Sequence, residues 1–247
     1  MFKTIRLLPG LAVLLTALPS QADVTVGERV LQKGLFSPPQ CKNDSGCLCE
    51  ADIKYPVLAG MADEAQQETI NNEFRNIAEQ LKCQGEPAST ASKGDNFSIT
   101  HTYELTFQSP DIIGLKFTDL AYEGGAHSNG AVEGMIIDLH TGKPVTVGDL
   151  FDAKNLDPVN KIIYHALLPK SEGVFRDEIE NRKGAFIKDN KCQGCTVALS
   201  KKGISVVFQA YEVAPFADGN PSVAIPAKYV SYPAIVKALA EKQPEKK

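Results

Sequence analysis

Residues 122–130 bring the side chains that could do chemistry closest together along the chain. Glu123, His127 and Asn129 lie there among three glycines. Histidine and glutamate are common acid–base groups in enzymes, and glycine permits a positive φ or a close approach of ligand to backbone. Glycine-rich loops are more often only shaped turns whose polar groups satisfy their own backbone. We treat this loop as a candidate ligand-binding site, with Tyr122, Glu123, His127 and Asn129 as its contact residues.

Catalysis by this loop would need further catalytic residues, and the sequence contains no recognisable motif that supplies them. A hydrolase acting on cell-wall sugars would use His127 and Glu123 as acid–base groups, with Asp138 as a third. The serine-hydrolase motif Gly-x-Ser-x-Gly does not occur in the sequence. The histidines at positions 101, 127, 140 and 165 lack metal-ligand spacing, so we predict no metal and no cofactor. His101 falls on the apolar face of a strand and is predicted to be a satisfied core histidine.

The cysteines predict a disulfide framework, because an even number of them in an exported chain is typical of disulfides. They are Cys41, Cys47, Cys49, Cys83, Cys192 and Cys195. We expect Cys192 and Cys195 to pair with each other. The other four allow three pairings, and we expect Cys83, at the end of a helix, to bond to the 41–49 segment. A strand is predicted after Cys195, which disfavours a thioredoxin-like redox centre, and the uneven spacing disfavours zinc.

The amino terminus predicts export. Two basic residues precede an apolar stretch at 7–18, and Ser20 and Ala22 supply the small residues that signal peptidase reads. We expect residues 1–22 to be a signal peptide cleaved before Asp23, and the mature chain to be periplasmic or secreted. No later apolar run is long enough for a membrane span, so none is expected after cleavage.

The charge balance argues against binding to nucleic acid. The sequence has 26 basic and 30 acidic residues, and two of the basic ones lie in 1–22, which leaves 24 against 30 and a net charge of −6. Nucleic-acid-binding proteins usually carry a basic excess. A mildly acidic surface favours encounter with a cationic partner at low salt.

The first elements predicted are strands with one helix. Residues 23–50, rich in polar residues, glycine, proline and cysteine, predict an extended lead-in stapled by disulfides. Asp63, three residues before Gln66, predicts the start of a helix. The clearest strand alternation runs over 97–107, and a later change of phase predicts a bulge near Thr118. Further strands are predicted at 53–58, 113–117 and 131–139.

The elements predicted after residue 145 are shorter. Asp157 and Pro158 predict the start of a second helix, because proline suits the first helical position. Ser231 is predicted to cap the last helix, and residues 242–247 are expected to fray. The other elements predicted here are a short helix at 174–179, a hairpin of 197–199 and 204–208, and a strand at 223–225.

These elements predict an α+β fold: an antiparallel sheet backed by helices, with a disulfide-stapled amino-terminal segment. Strands followed by helices, without regular βαβ alternation, are typical of this class. Removing 22 of the 247 residues leaves 225, which is enough for one core or for two lobes that share an interface.

Four motifs in the chain, in this order, resemble a known bacterial family. They are YEGGAHSNG at 122–130, IDLHTGK at 137–143, DLF at 149–151 and YEVAPFADG at 211–219. Over residues 50–240 the chain resembles an extracytoplasmic domain of unknown function found in RsiV-type anti-sigma factors, which sense lysozyme, and beside PdaC-type peptidoglycan deacetylases. The resemblance implies a helix-backed sheet in two parts, 23–145 and 146–241. It adds Tyr211 and Glu212 to the candidate ligand-binding residues.

The resemblance also implies a function. In RsiV-type members this region binds lysozyme, so we expect a binding module for a lysozyme-like protein or a cell-wall glycan. We expect neither sigma-factor control nor deacetylation, because the sequence shows no cytoplasmic segment, no retained membrane helix and no deacetylase domain. The alternatives are the hydrolase described above, a thiol–disulfide protein using Cys192 and Cys195, and an envelope protein with a structural role.

Overall fold

A computed structural model describes residues 24–37, 48–84, 86–87, 97–123, 126–182 and 184–241. These residues form an α+β fold, as the sequence predicts. The predicted signal peptide (1–22), Cys41, Cys47 and the predicted frayed tail (242–247) lie outside the described residues. Within the described ranges, no helix is long and apolar enough to cross a membrane.

The first sheet is built from strands of the amino-terminal part. In chain order they are β1 (Thr25–Ser37), β2 (Cys49–Ala59), β3 (Glu86–Pro87), β4 (Phe97–Gln108), β5 (Ile112–Tyr122), β6 (Asn129–Asp138) and β7 (Lys143–Pro144). Their spatial order is β3-β1-β2-β4-β5-β6-β7. Neighbours pair antiparallel, except β2 and β4, which run parallel. A parallel pair needs a long crossover connection, and the helix α1 (Glu64–Leu81) lies in the connection between these two strands.

Strand β1 (Thr25–Ser37) lies in the segment 23–50, for which the sequence predicts an extended lead-in. It pairs with β2 from Thr25, opposite Ala59, to Phe36, opposite Cys49. Of its 13 residues only Phe36 is buried. The segment therefore lacks the alternating pattern by which a half-buried strand is identified in a sequence. Pairing with β2, rather than burial of side chains, makes it a strand.

Helix α1 packs on one face of this sheet, as the sequence predicts. Its N-cap residue Asp63 accepts a hydrogen bond from the backbone N–H of Gln66 over 2.9 Å. Phe74 is buried in the apolar cluster between helix and sheet. The Asn71 amide bonds to the N–H and the C=O of Leu58 over 2.7 and 2.9 Å. These two bonds tie the helix to β2.

The bulge predicted near Thr118 is found in the neighbouring strand instead. Strand β5 pairs with β6 without interruption through Thr118, whereas the pairing of β4 with β5 shifts between Leu105 and Phe107. Thr106 is the extra residue, and its hydroxyl donates to the carbonyl oxygen of Leu199 over 2.5 Å. The change of phase along β5 needs no bulge. The end of the strand lies outside the core, and Leu120, the apolar residue there, is exposed.

The second sheet stands against the first at two glycines. It consists of β10 (Cys195–Ser200), β11 (Gly203–Phe208) and β12 (Ser222–Ile225), in that order and antiparallel. A Cβ atom on Gly134 would lie 2.1 Å from the oxygen of Val197, and one on Gly114 would lie 2.8 Å from the oxygen of Leu199. The glycines thus allow β10 to approach the backbones of β5 and β6.

The helices of the carboxy-terminal part share one core with both sheets. They are α2 (Val147–Leu150), α3 (Ala153–Leu167), α4 (Gly173–Asn181) and α5 (Pro233–Glu241). This core joins Ile136 of the first sheet to Val206 of the second and to Ile163 and Ile235 of the helices. Helix α4, the hairpin of β10 and β11, and strand β12 lie where the sequence predicts them.

Two helix starts differ from prediction. Helix α3 begins at Ala153, and Pro158 lies inside it. The Asn155 side chain anchors the first turn by donating to the carbonyl oxygen of Tyr229 and to the hydroxyl of Ser231. The same hydroxyl accepts from a backbone N–H at the start of α3. Ser231 therefore serves α3 and does not cap α5. These contacts join residues far apart in the chain, so local residue preferences do not reveal them.

The disulfides follow the predicted pairing. Cys192 bonds to Cys195. Cys83, just after α1, bonds to Cys49 of the predicted 41–49 segment. The second bond closes a sequence separation of 34 residues and staples β2 to the end of the helix. A short hairpin of β8 (Ile187–Lys188) and β9 (Lys191–Cys192) leads into the Cys192–Cys195 turn.

Candidate functional site

The glycine-rich loop connects β5 to β6 at one end of the first sheet. Tyr122 is the last residue of β5, and Asn129 is the first residue of β6. Glu123, His127 and Asn129 are exposed. Residues 124–125 lie outside the described part of the chain. The loop therefore presents polar side chains at the surface, at the end where the two strands stop.

A second loop, residues 209–221, approaches the first one after β11 ends. Gln209 fastens it to β6: its side-chain oxygen accepts from the N–H of Val132 over 2.9 Å, and its side-chain nitrogen donates to the carbonyl oxygen of Val132 over 2.6 Å. These are backbone groups on the side of β6 that faces away from β5. The two bonds set the position of the residues that follow, Tyr211 and Glu212.

Three rings from the two loops meet at the surface. The Tyr211 hydroxyl lies 3.0 Å from Nε2 of His127. The rings of His127 and Phe216 stack, with centroids 4.1 Å apart and planes 17° apart, and the ring of Tyr211 lies 5.7 Å from that of Phe216. We call His127, Tyr211 and Phe216 the aromatic cluster. The structure therefore brings His127 and Tyr211, both predicted site residues, into direct contact.

The hydrogen bonds assign the tautomer of His127. Its Nδ1 lies 2.9 Å from the carbonyl oxygen of Ser128, and a carbonyl oxygen can only accept, so Nδ1 carries a hydrogen. In the neutral ring Nε2 then accepts from the Tyr211 hydroxyl. Both ring nitrogens are engaged, and no carboxylate bonds to the ring within the described residues. A histidine held in this way offers no free basic nitrogen, and Phe216 covers one face of its ring.

Tyr211 has an unusual backbone conformation, with φ at 69°. A side chain with a Cβ atom is disfavoured there by about 1–2 kcal/mol. The residue is also 54% exposed, so burial of its ring offsets little of this strain. Strained residues concentrate at functional sites. The strained backbone directs the Tyr211 ring toward His127 and Phe216.

Glu212 points away from the aromatic cluster. Its carboxylate accepts from Nη2 of Arg182 over 2.6 Å and lies against Gly194, where a Cβ atom would come within 2.1 Å of it. Arg182 also donates to Glu178 over 3.1 Å and to the carbonyl oxygen of Gln193 over 2.8 Å. These five residues line a shallow groove of about 390 Å³ together with Lys188. Glu212 therefore has a structural partner and adjoins the cluster only through Tyr211.

Asp138 is not brought to the glycine-rich loop. It lies nine positions after Asn129 in the same strand, which corresponds to about 30 Å at the rise of an extended chain. Its carboxylate accepts from the N–H groups of His140 and Thr141 over 2.8 and 2.9 Å and from the Tyr232 hydroxyl over 2.6 Å. The alternative acid–base set of His127, Glu123 and Asp138 is not assembled in this geometry.

His101 is only partly satisfied in the core. It is completely buried, its Nδ1 bonds to the carboxylate of Asp119, and its ring stacks on Phe117. Its Nε2 has no hydrogen-bond partner within the described residues. No group of three potential metal-ligating side chains occurs in the described part of the chain.

Sequence reasoning missed Phe216 and Gln209 as site residues. Phe216 lies within the 211–219 motif, and an aromatic residue in a loop of glycine, proline and aspartate could have signalled a ring that lies at the surface. The role of Gln209 depends on the backbone of β6, 77 residues earlier. No local pattern reveals such a contact.

Comparison with known proteins found two family models that match separate stretches of the chain. Residues 41–130 match the family model of the deacetylase PdaC, and residues 148–228 match that of a protein of unknown function, DUF3298. A search of curated proteins found no match.

Two crystal structures show a similar fold. A DUF3298 family member from Bacteroides fragilis has a TM-score of 0.61 at 13% identity, over 90% of this chain and 99% of that chain. A DUF3298 family protein from Pseudomonas aeruginosa has a TM-score of 0.54 at 16% identity, over 87% and 97%. Likeness at this level of identity concerns the fold alone. Residues 41–130 thus resemble a PdaC-type domain and residues 148–228 a DUF3298-type domain, which confirms the family resemblance of the motifs.

Proposed function

We propose that the protein is an exported binding module of the bacterial cell envelope and that the aromatic cluster is its contact surface. The observation that carries the proposal is the strained, exposed Tyr211, whose ring joins His127 and Phe216 from a distant loop. Exposed aromatic rings supply a large contact area, and they lose little conformational entropy on binding because they have few rotatable bonds. Both loops that build the cluster belong to the family motifs in the sequence.

The charge around the cluster favours a cationic partner. Glu123 lies in the glycine-rich loop, Asp218 follows Phe216 in the second loop, and both are exposed. The net charge of the whole sequence is −4. Complementary charge speeds encounter at low salt, and aromatic rings attract Lys and Arg side chains. A lysozyme-like protein is therefore the first partner to test, and a cell-wall glycan is the second.

Binding is favoured over catalysis because of the state of His127. Its two nitrogens already bond to the carbonyl oxygen of Ser128 and to the Tyr211 hydroxyl. A general base needs a nitrogen within reach of the proton that it takes from a substrate. Phe216 stacks on one face of the ring, so the opposite face and the lone pairs of the Tyr211 hydroxyl oxygen are the groups left for contact with a ligand.

Calorimetric titration with several lysozymes and with soluble peptidoglycan fragments at low salt tests the proposal. Tyr211→Ala and replacement of the 123–129 loop should each weaken binding at least tenfold, because the cluster would lose a ring or its support. Val236→Ala is the matched control, since Val236 is also an exposed apolar residue, at 41% exposure, but lies on α5. Unchanged affinity in both cluster variants, or no binding of any probe, would contradict the proposal.

A further inference from the structure

The protein has two described disulfides in very different surroundings. Cys49 and Cys83 are buried, with 3% and 4% of their surface exposed. Cys192 and Cys195 are both half-buried at the molecular surface. Exchange with an external thiol requires access to a sulfur atom. A dithiol in solution should therefore reach the Cys192–Cys195 bond well before the Cys49–Cys83 bond.

The turn closed by Cys192 and Cys195 holds groups from two other segments. The carbonyl oxygen of Gln193 accepts from Arg182 over 2.8 Å, and the carbonyl oxygen of Gly194 accepts from the N–H of Gln209 over 3.1 Å. Gly194 has φ at 64°. The disulfide restrains this tight turn, so it fixes where both carbonyl oxygens point.

These contacts support Tyr211 from both sides in the sequence. Gln209, two residues before it, bonds to the turn through its N–H. Glu212, the residue after Tyr211, lies against Gly194 and pairs with Arg182, which itself bonds to the turn. The strained backbone of Tyr211 therefore lies between two anchors on the same disulfide-closed turn. Loss of the turn geometry would loosen both anchors.

We propose that the Cys192–Cys195 disulfide is a redox-controlled latch for the aromatic cluster, closed when oxidised and loosened when a dithiol reduces it. The reduction breaks the bond between the two sulfur atoms. Two electrons and two protons pass from the dithiol, which closes its own disulfide, to Cys192 and Cys195, which become thiols. The latch rests on the proposed function only in its consequence, which is weaker binding of ligand in the reduced state.

Hydrogen exchange tests the latch without any ligand. The full chain is treated with dithiothreitol at a concentration that reduces Cys192–Cys195 and, as peptide masses verify, leaves Cys49–Cys83 intact. Exchange of the amides in 209–213 should become about fivefold faster or more, because local opening governs it, while β4 and β5 keep their protection. Unchanged exchange at 209–213 after verified reduction would overturn the proposal.

Two variants distinguish loss of the latch from a general loss of stability. Arg182→Gln in the oxidised protein removes one anchor and should also speed exchange at 209–213. Arg176→Gln is its matched control, because Arg176 lies in α4, which ends just before Arg182, and pairs with Glu180 over 3.1 Å but has no bond to the turn. Equal exchange in the two variants would count against the latch. Cys192→Ser combined with Cys195→Ser should reproduce the reduced state in the absence of reductant.

The ligand arm uses a lysozyme and peptidoglycan fragments as probes of the oxidised and reduced protein. A probe that binds should lose affinity about fivefold on reduction, since fewer molecules hold the cluster in its binding-competent form. Equal affinity in both states overturns the latch as a regulator. Faster exchange on reduction without binding of either probe supports the latch and counts against the proposed function, so the two failures are distinguishable.

Discussion

The hydroxyl of Tyr211 meets Nε2 of His127 at 3.0 Å across 84 positions of the sequence. This contact joins the loop after β11 to the glycine-rich loop between β5 and β6. It brings two of the family motifs to one place at the surface. Tyr211 makes this contact from a backbone conformation that disfavours most side chains, and its ring also lies against Phe216.

The first prediction concerns this strain. Tyr211→Asn and Tyr211→Ala both remove the ring, but asparagine tolerates positive φ better than alanine. The asparagine variant should therefore have the higher free energy of unfolding, by about 1 kcal/mol. Urea denaturation of the two variants measures the difference. Equal stability of the two would show that the positive φ of Tyr211 relaxes without loss.

Gln209 should contribute to stability through both ends of its side chain. Gln209→Leu leaves the N–H and C=O of the buried residue Val132 without partners, which should cost about 2 kcal/mol. Gln209→Glu keeps an acceptor for the N–H but loses the donor to the C=O, so its loss should be intermediate. Urea denaturation gives the ranking, and a Gln209→Leu variant as stable as the wild type contradicts the assigned role.

Gly134 should be intolerant of any side chain. A Cβ atom there would lie 2.1 Å from the oxygen of Val197, so Gly134→Ala must separate β6 from β10, at a loss of about 1–3 kcal/mol or more. Gly27→Ala is the control within another strand, since its Cβ would lie 3.8 Å from the nearest atom, the oxygen of Val57. Thermal unfolding should show a clear loss for Gly134→Ala and a small change for Gly27→Ala. Similar losses would mean that the contact between the sheets adapts.

Tyr232 should make stability depend on alkaline pH. Burial and its hydrogen bond to Asp138 raise the pKa of Tyr232 to about 12 from an ordinary value of 10.0. The folded state then binds this proton more tightly than the unfolded state does. The contribution is complete below pH 10 and is lost as the pH rises from 10 towards 12. Tyr232→Phe should remove this part of the pH dependence. A wild-type stability that falls no faster than that of the variant over this range contradicts the assignment.

Several elements could be predicted because their causes are local. The Asp63 cap, the alternation in β4 and the turn between β10 and β11 depend on residues a few positions apart. Cys192 and Cys195 pair because the chain cannot carry them far from each other. Strand β1 could not be predicted, since its side chains are mostly exposed and its partner strand alone makes it regular. The start of α3 depends on Ser231 and Asn155, which meet only after folding.

The sequence by itself determined the fold class, the Cys192–Cys195 pair and the two loops that carry the family motifs, because composition, periodicity and spacing act over short distances. Tertiary structure alone decided what those loops do together. It brought His127, Tyr211 and Phe216 into one cluster at the surface, directed Glu212 to Arg182, and left Asp138 at the far end of β6. The physical reason is that hydrogen bonds such as those of Gln209 to Val132, and close approaches such as that of β10 to Gly134, depend on backbone positions that no nearby residue sets.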